Sequence, residues 1–336
     1  MSPLRIKIAV VPCFNWHPSL HLMEAAKNNW TSVSVPKGTV FEALNKGSEN
    51  KPSAVPSFQD SDTILIGSDY SGESKHEPYL VYSFILAGNR GWASWAEHRI
   101  KLRAQIMPDK RRMTCKNLGD RYRRELLLPI LRAADGLNGL SVSFATNKKC
   151  PSLFPSSGPL DLKNPDFSKF LKWQPAVLNK AFMVLHCLGI LLARAAKKGQ
   201  NVFWFTDQDA IVANNDMLTD LTTAFGWISS GYLSFDLGHI RCGTTKCDNG
   251  SLQIEDFVAI PDLIAGALSE QFRSSLALGL WDDKYFCLSG PDMNEKACPI
   301  TFWFGTSQEF LKKHLFVIDP GTNESTHKVS WLNFTH

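Results

Sequence analysis

Short apolar runs that are typical of buried strands alternate with long helical patterns between residues 63 and 270. Residues 63–68 and 201–206 are rich in β-branched and aromatic side chains. Residues 174–198 instead repeat apolar side chains over several helical turns before a basic end and Gly199. Because strands and helices interleave, we expect an α/β domain with a mixed sheet flanked by helices.

The same reasoning predicts further elements and a division of the chain. Residues 45–62 are polar and rich in proline, which predicts a loop or linker. Pro261 lies inside the last helical pattern and should kink it or interrupt its hydrogen bonding. We expect strands over 4–11, 79–86 and 140–145, and helices over 21–28, 92–105, 116–134, 217–225 and 254–270. The expected parts are an N-terminal extension with one strand and a linker (1–58), an α/β domain (59–275) and a C-terminal appendage packed on the core (276–336).

Composition is typical of a globular chain that buries a large core. Of the 336 residues, 44% are hydrophobic and 20% charged, and the 21 Phe and 10 Trp need burial. The eight Cys are scattered, as expected for reduced thiols. The N-terminal apolar run is too short for a secretory signal. Residues 176–196, the most apolar stretch, carry side chains that disfavour a membrane span: Asn179, Lys180, His186 and Arg194. We therefore expect a cytoplasmic protein that does not span a membrane.

Aspartates close the two clearest strand patterns. Asp69 ends the first run, and Asp207 ends the second, with Asp209 two residues later. Carboxylates at the ends of adjacent strands can converge at one edge of a sheet, and their oxygens suit Mg²⁺ or Mn²⁺. The alternative interpretation is that these aspartates start turns or cap the following helices.

A third acid lies within the apolar helical pattern near the end of the interleaved region. Asp262 has core-type neighbours, and a carboxylate in such surroundings must be paired, protonated or metal-bound. Glu255 lies seven residues earlier, on roughly the same helical face. We expect Asp69, Asp207 and Asp262 to share divalent cations. Such a centre would activate a water molecule and stabilise a departing oxygen in phosphodiester cleavage.

Four short motifs surround these acids in a consistent order. They are Asp-Tyr-Ser-Gly at 69–72, Lys-Asn-Leu-Gly-Asp at 116–120, Phe-Thr-Asp-Gln-Asp at 205–209, and Pro-Asp-Leu-Ile-Ala-Gly at 261–266. The first, second and fourth resemble the bacterial domain-of-unknown-function 3800 family, whose members are assigned an RNase H-like fold. The third is similar to the central strand-end acid of RNase H. The resemblance implies an RNase H-like mixed sheet flanked by helices, with N- and C-terminal extensions.

By this resemblance, Asp69, Asp207 and Asp262 would be catalytic metal ligands. The chain departs from the family at Tyr70, where members have Glu, and at Pro261, where they have Ala. Glu73 is close enough in sequence to substitute for the missing Glu. Asp120 or Glu125 would supply the acid expected on the first long helix. The expected metal shell is Asp69, Asp207, Asp262, Glu73, Asp209 and Asp120.

Residues 99–124 hold ten basic side chains, opposed by Asp109 and Asp120 alone. Such a block is suited to a phosphate backbone, and the alternative is a solvated helical face. The predicted nucleic-acid contacts are Lys116, Arg111, Arg112, Arg121 and Arg124.

Other residues permit other chemistry. His239, Cys242 and Cys247 could supply three zinc ligands, although no fourth completes the set, and free cysteines are ordinarily core residues. His239 could also move protons near a metal-bound water, and Asp236 is a further acid near a strand.

The resulting expectation is a hydrolase, a Mg²⁺- or Mn²⁺-dependent nuclease acting on DNA or RNA. One rival is a glycosyltransferase that uses residues 207–209 as an Asp-x-Asp motif, although it gives Asp69 and Asp262 no role. Another is a non-catalytic module of the same fold that binds nucleic acid or protein. A homo-oligomer, or a partner protein in a defence system, is compatible with each.

Overall fold

In the computed structural model of the chain, the described residues are 7–10, 27–30, 35, 40–47, 51–89, 91–150, 165–282, 285–286, 294–306, 308–322 and 327–332. The helices are α1 (Val40–Gly47), α2 (Trp92–Ile106), α3 (Arg121–Ala134), α4 (Pro175–Ala195), α5 (Asn215–Tyr232), α6 (Gln253–Ala277) and α7 (Ala297–Gly305). The strands are β1 (Lys7–Val10), β2 (Lys27–Trp30), β3 (Lys51–Pro56), β4 (Thr63–Ser71), β5 (Tyr79–Ala87), β6 (Gly139–Asn147), β7 (Asn201–Thr206), β8 (His239–Thr244), β9 (Trp281–Asp282), β10 (Tyr285–Phe286), β11 (Leu311–Pro320) and β12 (His327–Leu332).

An eight-stranded mixed sheet, in the order β1-β8-β7-β4-β5-β6-β11-β12, forms the centre of the fold. β1, β8, β7 and β4 run parallel to one another, and β5 is antiparallel to both β4 and β6. β11 runs parallel to β6 and pairs with an antiparallel β12. The predicted α/β class with a mixed sheet flanked by helices is therefore confirmed.

Helices cover both faces of this sheet, and successive residues of β4 belong to different hydrophobic layers. Ile64 and Ile66 pack with α4 and α5 in one layer, whereas Leu65 packs with α2, α3, α6 and α7 in the other. Successive strand side chains point to opposite faces, so a strand buried on both sides is apolar at every position. This explains the unbroken apolar runs in the sequence.

Two predictions about the N-terminal part of the chain were wrong. Residues 45–62 do not form a linker, because they include the end of α1, all of β3 and the buried Phe58. Phe41 and Leu44 of α1 are buried in the core at helical spacing. The helix predicted over 21–28 overlaps β2 at its end, and its remaining residues lie outside the described part.

The two terminal segments both contribute to the central sheet. The strand predicted over 4–11 is described as β1, which pairs with β8. Residues 276–336 were expected to be an appendage, but their strand β11 extends the sheet beyond β6 and α7 packs against α6 and α3. The exact division at residues 58 and 275 stays a prediction.

α6 continues through Pro261 as one helix of 25 residues, so Pro261 does not end the helix. Pro261 is buried, and α6 packs along β4 and β5. In proteins, packing of an apolar face supplies most of the stability of a helix, so it can offset the single backbone hydrogen bond that a proline removes. α6 therefore carries residues from both sides of Pro261 over the sheet.

α4 is the one described helix whose length and apolarity would allow it to cross a membrane. Within the fold, 67% of its most apolar window is buried. Its apolar side chains, such as Phe182 and Leu188, lie in the layer beneath β4 and β7. The apolarity of α4 is therefore accounted for by its place in the core.

Candidate active site

Asp69 and Asp207 lie at the same edge of the sheet. β4 and β7 are adjacent and parallel, with Ser68 paired to Thr206, and each aspartate comes directly after that pair. Asp262 reaches this edge from α6, which packs on β4. Three acids that are distant in sequence are thus brought together by two strands and one helix.

Two glycines permit the close packing that places Asp262. A Cβ on Gly67 would lie 3.1 Å from the ring of Phe257, so glycine lets α6 rest directly on β4. Gly266 faces the side chain of Cys115, where a Cβ would clash with the sulfur. The backbone N–H of Cys115 consequently reaches the Oδ2 atom of Asp262 at 2.7 Å.

Asp69 and Asp262 lie close enough for each carboxyl group to shift the pKa of the other. Burial raises the pKa of Asp69 well above its usual value, and repulsion from Asp262 and Asp207 raises it further. Burial also raises the pKa of Asp262, against the opposing effects of the Cys115 N–H and the Lys116 charge. Both carboxyl groups are therefore harder to ionise than free ones, and a nearby cation would favour their charged forms.

One oxygen of the Asp207 carboxylate accepts hydrogen bonds from three donors. Its Oδ1 atom accepts hydrogen bonds from Thr245 Oγ1 at 2.6 Å, Arg112 Nη2 at 2.8 Å and the Gln208 backbone N–H at 2.9 Å. Burial alone would raise its pKa, but these donors lower the pKa overall. Thr245 follows the end of β8, the next parallel strand, so a search of all strand ends would have found it.

Arg112 also contacts a second carboxylate, that of Glu255. The distance from Arg112 Nε to Glu255 Oε2 is 3.1 Å. Burial raises the pKa of Glu255, the Arg112 charge opposes this, and nearby acids that include Asp207 raise it again. The position of Glu255 on the Asp262 face of its helix was visible in the sequence, but its arginine partner was not.

Glu73 and Asp209, both predicted as metal ligands, are bound to Lys180. Lys180 Nζ lies 2.7 Å from Glu73 Oε1 and 2.7 Å from Asp209 Oδ2, and 4.7 Å from the ring centre of Tyr70. The Lys180 side chain is only 17% exposed, so its amine needs counter-charges. Glu73 and Asp209 therefore bind the amine of Lys180 and not a metal ion. No spacing pattern in the sequence related this lysine of α4 to the two acids.

Asp120, another predicted ligand, caps α3. It accepts a hydrogen bond from the backbone N–H of Arg123 at 3.1 Å and pairs with Arg111 at 2.8 Å. The backbone hydrogen bond is the largest of the effects that lower its pKa. The cap explains why α3 begins at Arg121 and not at residue 116, where the helix was predicted. Glu125 pairs with Arg121 one turn along the helix.

The basic block separates into buried, paired and exposed members. Arg99 and Arg103 are buried against Asp256 of α6, so they are not accessible to a nucleic-acid phosphate. Arg111 and Arg121, two of the predicted contacts, are engaged by the carboxylates named above. Two predicted contacts, Lys116 and Arg124, have exposed side chains, and Lys116 is near enough to Asp262 to lower its pKa.

Asp236 and the histidine–cysteine set do not belong to this site. Asp236 precedes β8, so it lies at the opposite edge of the sheet from Asp207. Within the part of the chain that the structure describes, no group of three or more His, Cys, Asp or Glu side chains is arranged to hold a metal ion as it stands. Neither the predicted zinc set nor the three aspartates form such a group, and Asp207 Oδ1 is already bound by Arg112 and Thr245.

The donor chemistry of the acidic edge nonetheless fits a hard divalent cation. Asp69 and Asp262 offer carboxylate oxygens that repel one another, and Asp207 adds to that repulsion. An ion such as Mg²⁺ prefers oxygen ligands of this type and would remove the repulsion. The residues present therefore suit such an ion, provided that Asp207 is released from Arg112.

Comparisons with known proteins identify no family for this chain. No protein-family model matches the sequence, and no curated protein matches it. Among solved structures, the chain is similar to the ribonuclease H2 from Pyrococcus horikoshii OT3. That similarity has a TM-score of 0.32 at 13% identity and covers 72% of this chain and 85% of that one. At this score the likeness carries no conclusion about the chain.

Proposed function

We propose that this protein is a divalent-metal-dependent nuclease whose active site is the acidic edge of the sheet. The observation that carries the proposal is the convergence of Asp69, Asp207 and Asp262 at one edge of the sheet, where their charges raise the pKa of Asp69 and Asp262. Like charges held together in a partly buried site destabilise a fold, and perturbed carboxyl groups cluster at functional sites. A bound divalent cation would remove this repulsion, and carboxylate oxygens are ligands that Mg²⁺ prefers.

Asp69 and Asp262 would hold Mg²⁺ or Mn²⁺, and Asp207 would complete the ligand set. A bound ion of this class supplies a nucleophilic water at neutral pH and stabilises the departing oxygen of a phosphodiester. Thr245 keeps the Asp207 carboxylate oriented through its 2.6 Å hydrogen bond. The Cys115 N–H does the same for Asp262.

Nucleic acid is the proposed substrate because cations surround the acids. Lys116 and Arg112 border them from the segment between α2 and α3. Lys296, just before α7, lies 3.8 Å from the position that a Cβ on Gly119 would occupy, and its charge lowers the pKa of Cys115. Cations from two distant segments can neutralise successive phosphates of a backbone.

The RNase H-like fold implied by the sequence motifs agrees with this proposal, since the mixed sheet with an antiparallel β5 carries the acids at one edge. We further propose a cytoplasmic location, which suits the buried free thiols of Cys187 and Cys242. The glycosyltransferase rival is disfavoured, because Asp209 is bound to Lys180 and to the Ile211 N–H and so is not open to a nucleotide sugar.

The test is cleavage of labelled DNA and RNA with Mg²⁺ or Mn²⁺, in the wild type and in Asp207→Asn and Asp262→Asn. Both variants should lose metal-dependent cleavage while keeping the wild-type circular dichroism spectrum. Asp216→Asn is the matched control, because Asp216 is an exposed acid in the first turn of α5. Undiminished cleavage by either site variant refutes the proposal. Nucleic-acid binding with no metal effect on thermal stability would instead favour the non-catalytic binding module.

A further inference from the structure

Arg112 lies between Asp207 and Glu255 at the acidic edge of the sheet. Its Nη2 atom lies 2.8 Å from Asp207 Oδ1 and 3.2 Å from Thr245 Oγ1, and its Nε atom lies 3.1 Å from Glu255 Oε2. One guanidinium group thus neutralises two carboxylates of different elements. Its planar fork of donors suits such bridging contacts, which the ammonium group of a lysine would not reproduce.

The backbone of Arg112 is fixed while its side chain keeps contact with solvent. The carbonyl oxygen of Arg112 accepts a 2.8 Å hydrogen bond from Arg123 Nε, which ties this residue to α3. The side chain is 43% exposed, whereas that of Glu255 is 19% exposed. The guanidinium group can therefore turn outward about its own side-chain bonds without any movement of the loop.

A guanidinium group on Asp207 and a metal ion on Asp207 compete for the same carboxylate. The 2.8 Å hydrogen bond from Arg112 Nη2 to Asp207 Oδ1 stabilises the charged carboxylate in the absence of metal. Phosphate oxygens are strong alternative partners for arginine, with the same bidentate geometry as a carboxylate. A nucleic-acid phosphate bound by Lys116 beside the acidic edge would be such a partner for Arg112.

We propose that Arg112 is an exchangeable counter-ion of the active site. In the free protein it holds Asp207 and Glu255. When a nucleic-acid phosphate arrives, Arg112 moves to that phosphate and leaves Asp207 open to the divalent cation. This inference rests on the proposed function, and it adds that substrate binding and metal binding are coupled through one side chain. By linkage, each ligand then raises the affinity for the other by the same factor.

The experiment is a Mn²⁺ titration followed by the electron paramagnetic resonance signal of free Mn²⁺. It compares the wild type with Arg112→Gln, which should bind Mn²⁺ about tenfold more tightly in the absence of nucleic acid, because the competing cation is gone. Arg111→Gln is the matched control. It removes the same charge from the neighbouring residue, whose partners are Asp109 and Asp120 and not Asp207.

A second titration includes a short nuclease-resistant phosphorothioate oligonucleotide, after subtraction of the Mn²⁺ that the oligonucleotide binds alone. Wild-type affinity for Mn²⁺ should rise several-fold with the oligonucleotide, and the rise should be smaller in Arg112→Gln. Should that variant fail to fold by circular dichroism, Arg112→Met replaces it, because it also removes the positive charge and should change the affinity in the same direction. These titrations measure binding and do not depend on turnover.

The outcomes separate this inference from the proposed function. Tighter binding in Arg112→Gln alone supports the exchange. Equal affinities in the wild type and Arg112→Gln, or equal tightening in Arg111→Gln, overturn it while leaving the metal site in place. Loss of binding in Asp262→Asn identifies the site that Mn²⁺ occupies in the wild type. Failure of the wild type and of both arginine variants to bind Mn²⁺ overturns both the inference and the proposed function.

Discussion

Replacement of Asp256 by asparagine should destabilise the protein more than most single substitutions. Asp256 is completely buried and pairs with Arg99 at 2.8 Å and with the Nε and Nη2 atoms of Arg103. The two arginine side chains are only 2% and 7% exposed. Asp256→Asn would therefore leave two positive charges in the interior with no carboxylate to neutralise them.

The size of the effect follows from this burial. Removal of one partner from a buried ion pair costs about 4 kcal/mol, because the remaining charge stays desolvated. Unfolding entropy is about 2.1 cal/mol/K per residue near 60 °C, or roughly 0.7 kcal/mol/K for 336 residues. The expected fall in Tm is thus about 6 °C, with a matching fall in the free energy of unfolding.

Thermal and urea unfolding, each followed by circular dichroism, measure this change. Glu97→Gln on α2 is the control, since Glu97 pairs with Lys101 on the same helix but the two side chains are 67% and 63% exposed. The Tm of that variant should equal the wild-type value within error, because exposed pairs are screened by water.

A small effect of Asp256→Asn, no larger than that of Glu97→Gln, would contradict this reasoning. It would mean that water or a rearranged acceptor solvates Arg99 and Arg103 in the folded protein. A changed slope in urea would point instead to an altered denatured state, so the comparison is made on variants whose slopes agree.

Two further predictions concern titration. Burial lowers the pKa of His186 from 6.5 to about 4, so the unfolded chain takes up a proton that the folded one does not. Stability should fall by about 2 kcal/mol between pH 8 and pH 5 from this group alone, and urea unfolding of His186→Gln should show a flatter pH dependence. Asp69→Asn should raise the Tm of the metal-free protein in chelator, because it removes repulsion with Asp262. The folded-state pKa of Asp69 is raised, so stability is lost as pH rises through it, and the gain in Tm should grow from pH 5 to pH 8; a constant or negative difference would refute this.

The fold class and the three central acids were accessible from the sequence because each depends on local signals. Doubly buried strands are apolar throughout, and an acid at the end of such a run is conspicuous, as at Asp69 and Asp207. Asp262 stood out because a carboxylate among core residues demands an explanation. These signals need no knowledge of tertiary partners.

The partners of charged residues could not be derived in the same way. Whether Arg112 meets a phosphate or Asp207, and whether Glu73 meets a metal or Lys180, depends on contacts between segments far apart in the chain. The basic block illustrates this, because Arg103 is buried on Asp256 while Arg124 is exposed, although both belong to one run of charge. Composition predicts the presence of such charges but not their counter-ions.

The pairing of β11 with β6 has a consequence for synthesis of the protein on the ribosome. Residues 311–320 are made late, yet they cover the backbone edge of β6, whose other edge is already paired with β5. Until those residues emerge, the nascent chain presents an open row of backbone donors and acceptors to any neighbouring strand. Premature termination before Leu311 would make that exposure permanent, so truncated chains should aggregate and not accumulate as soluble, partly active fragments.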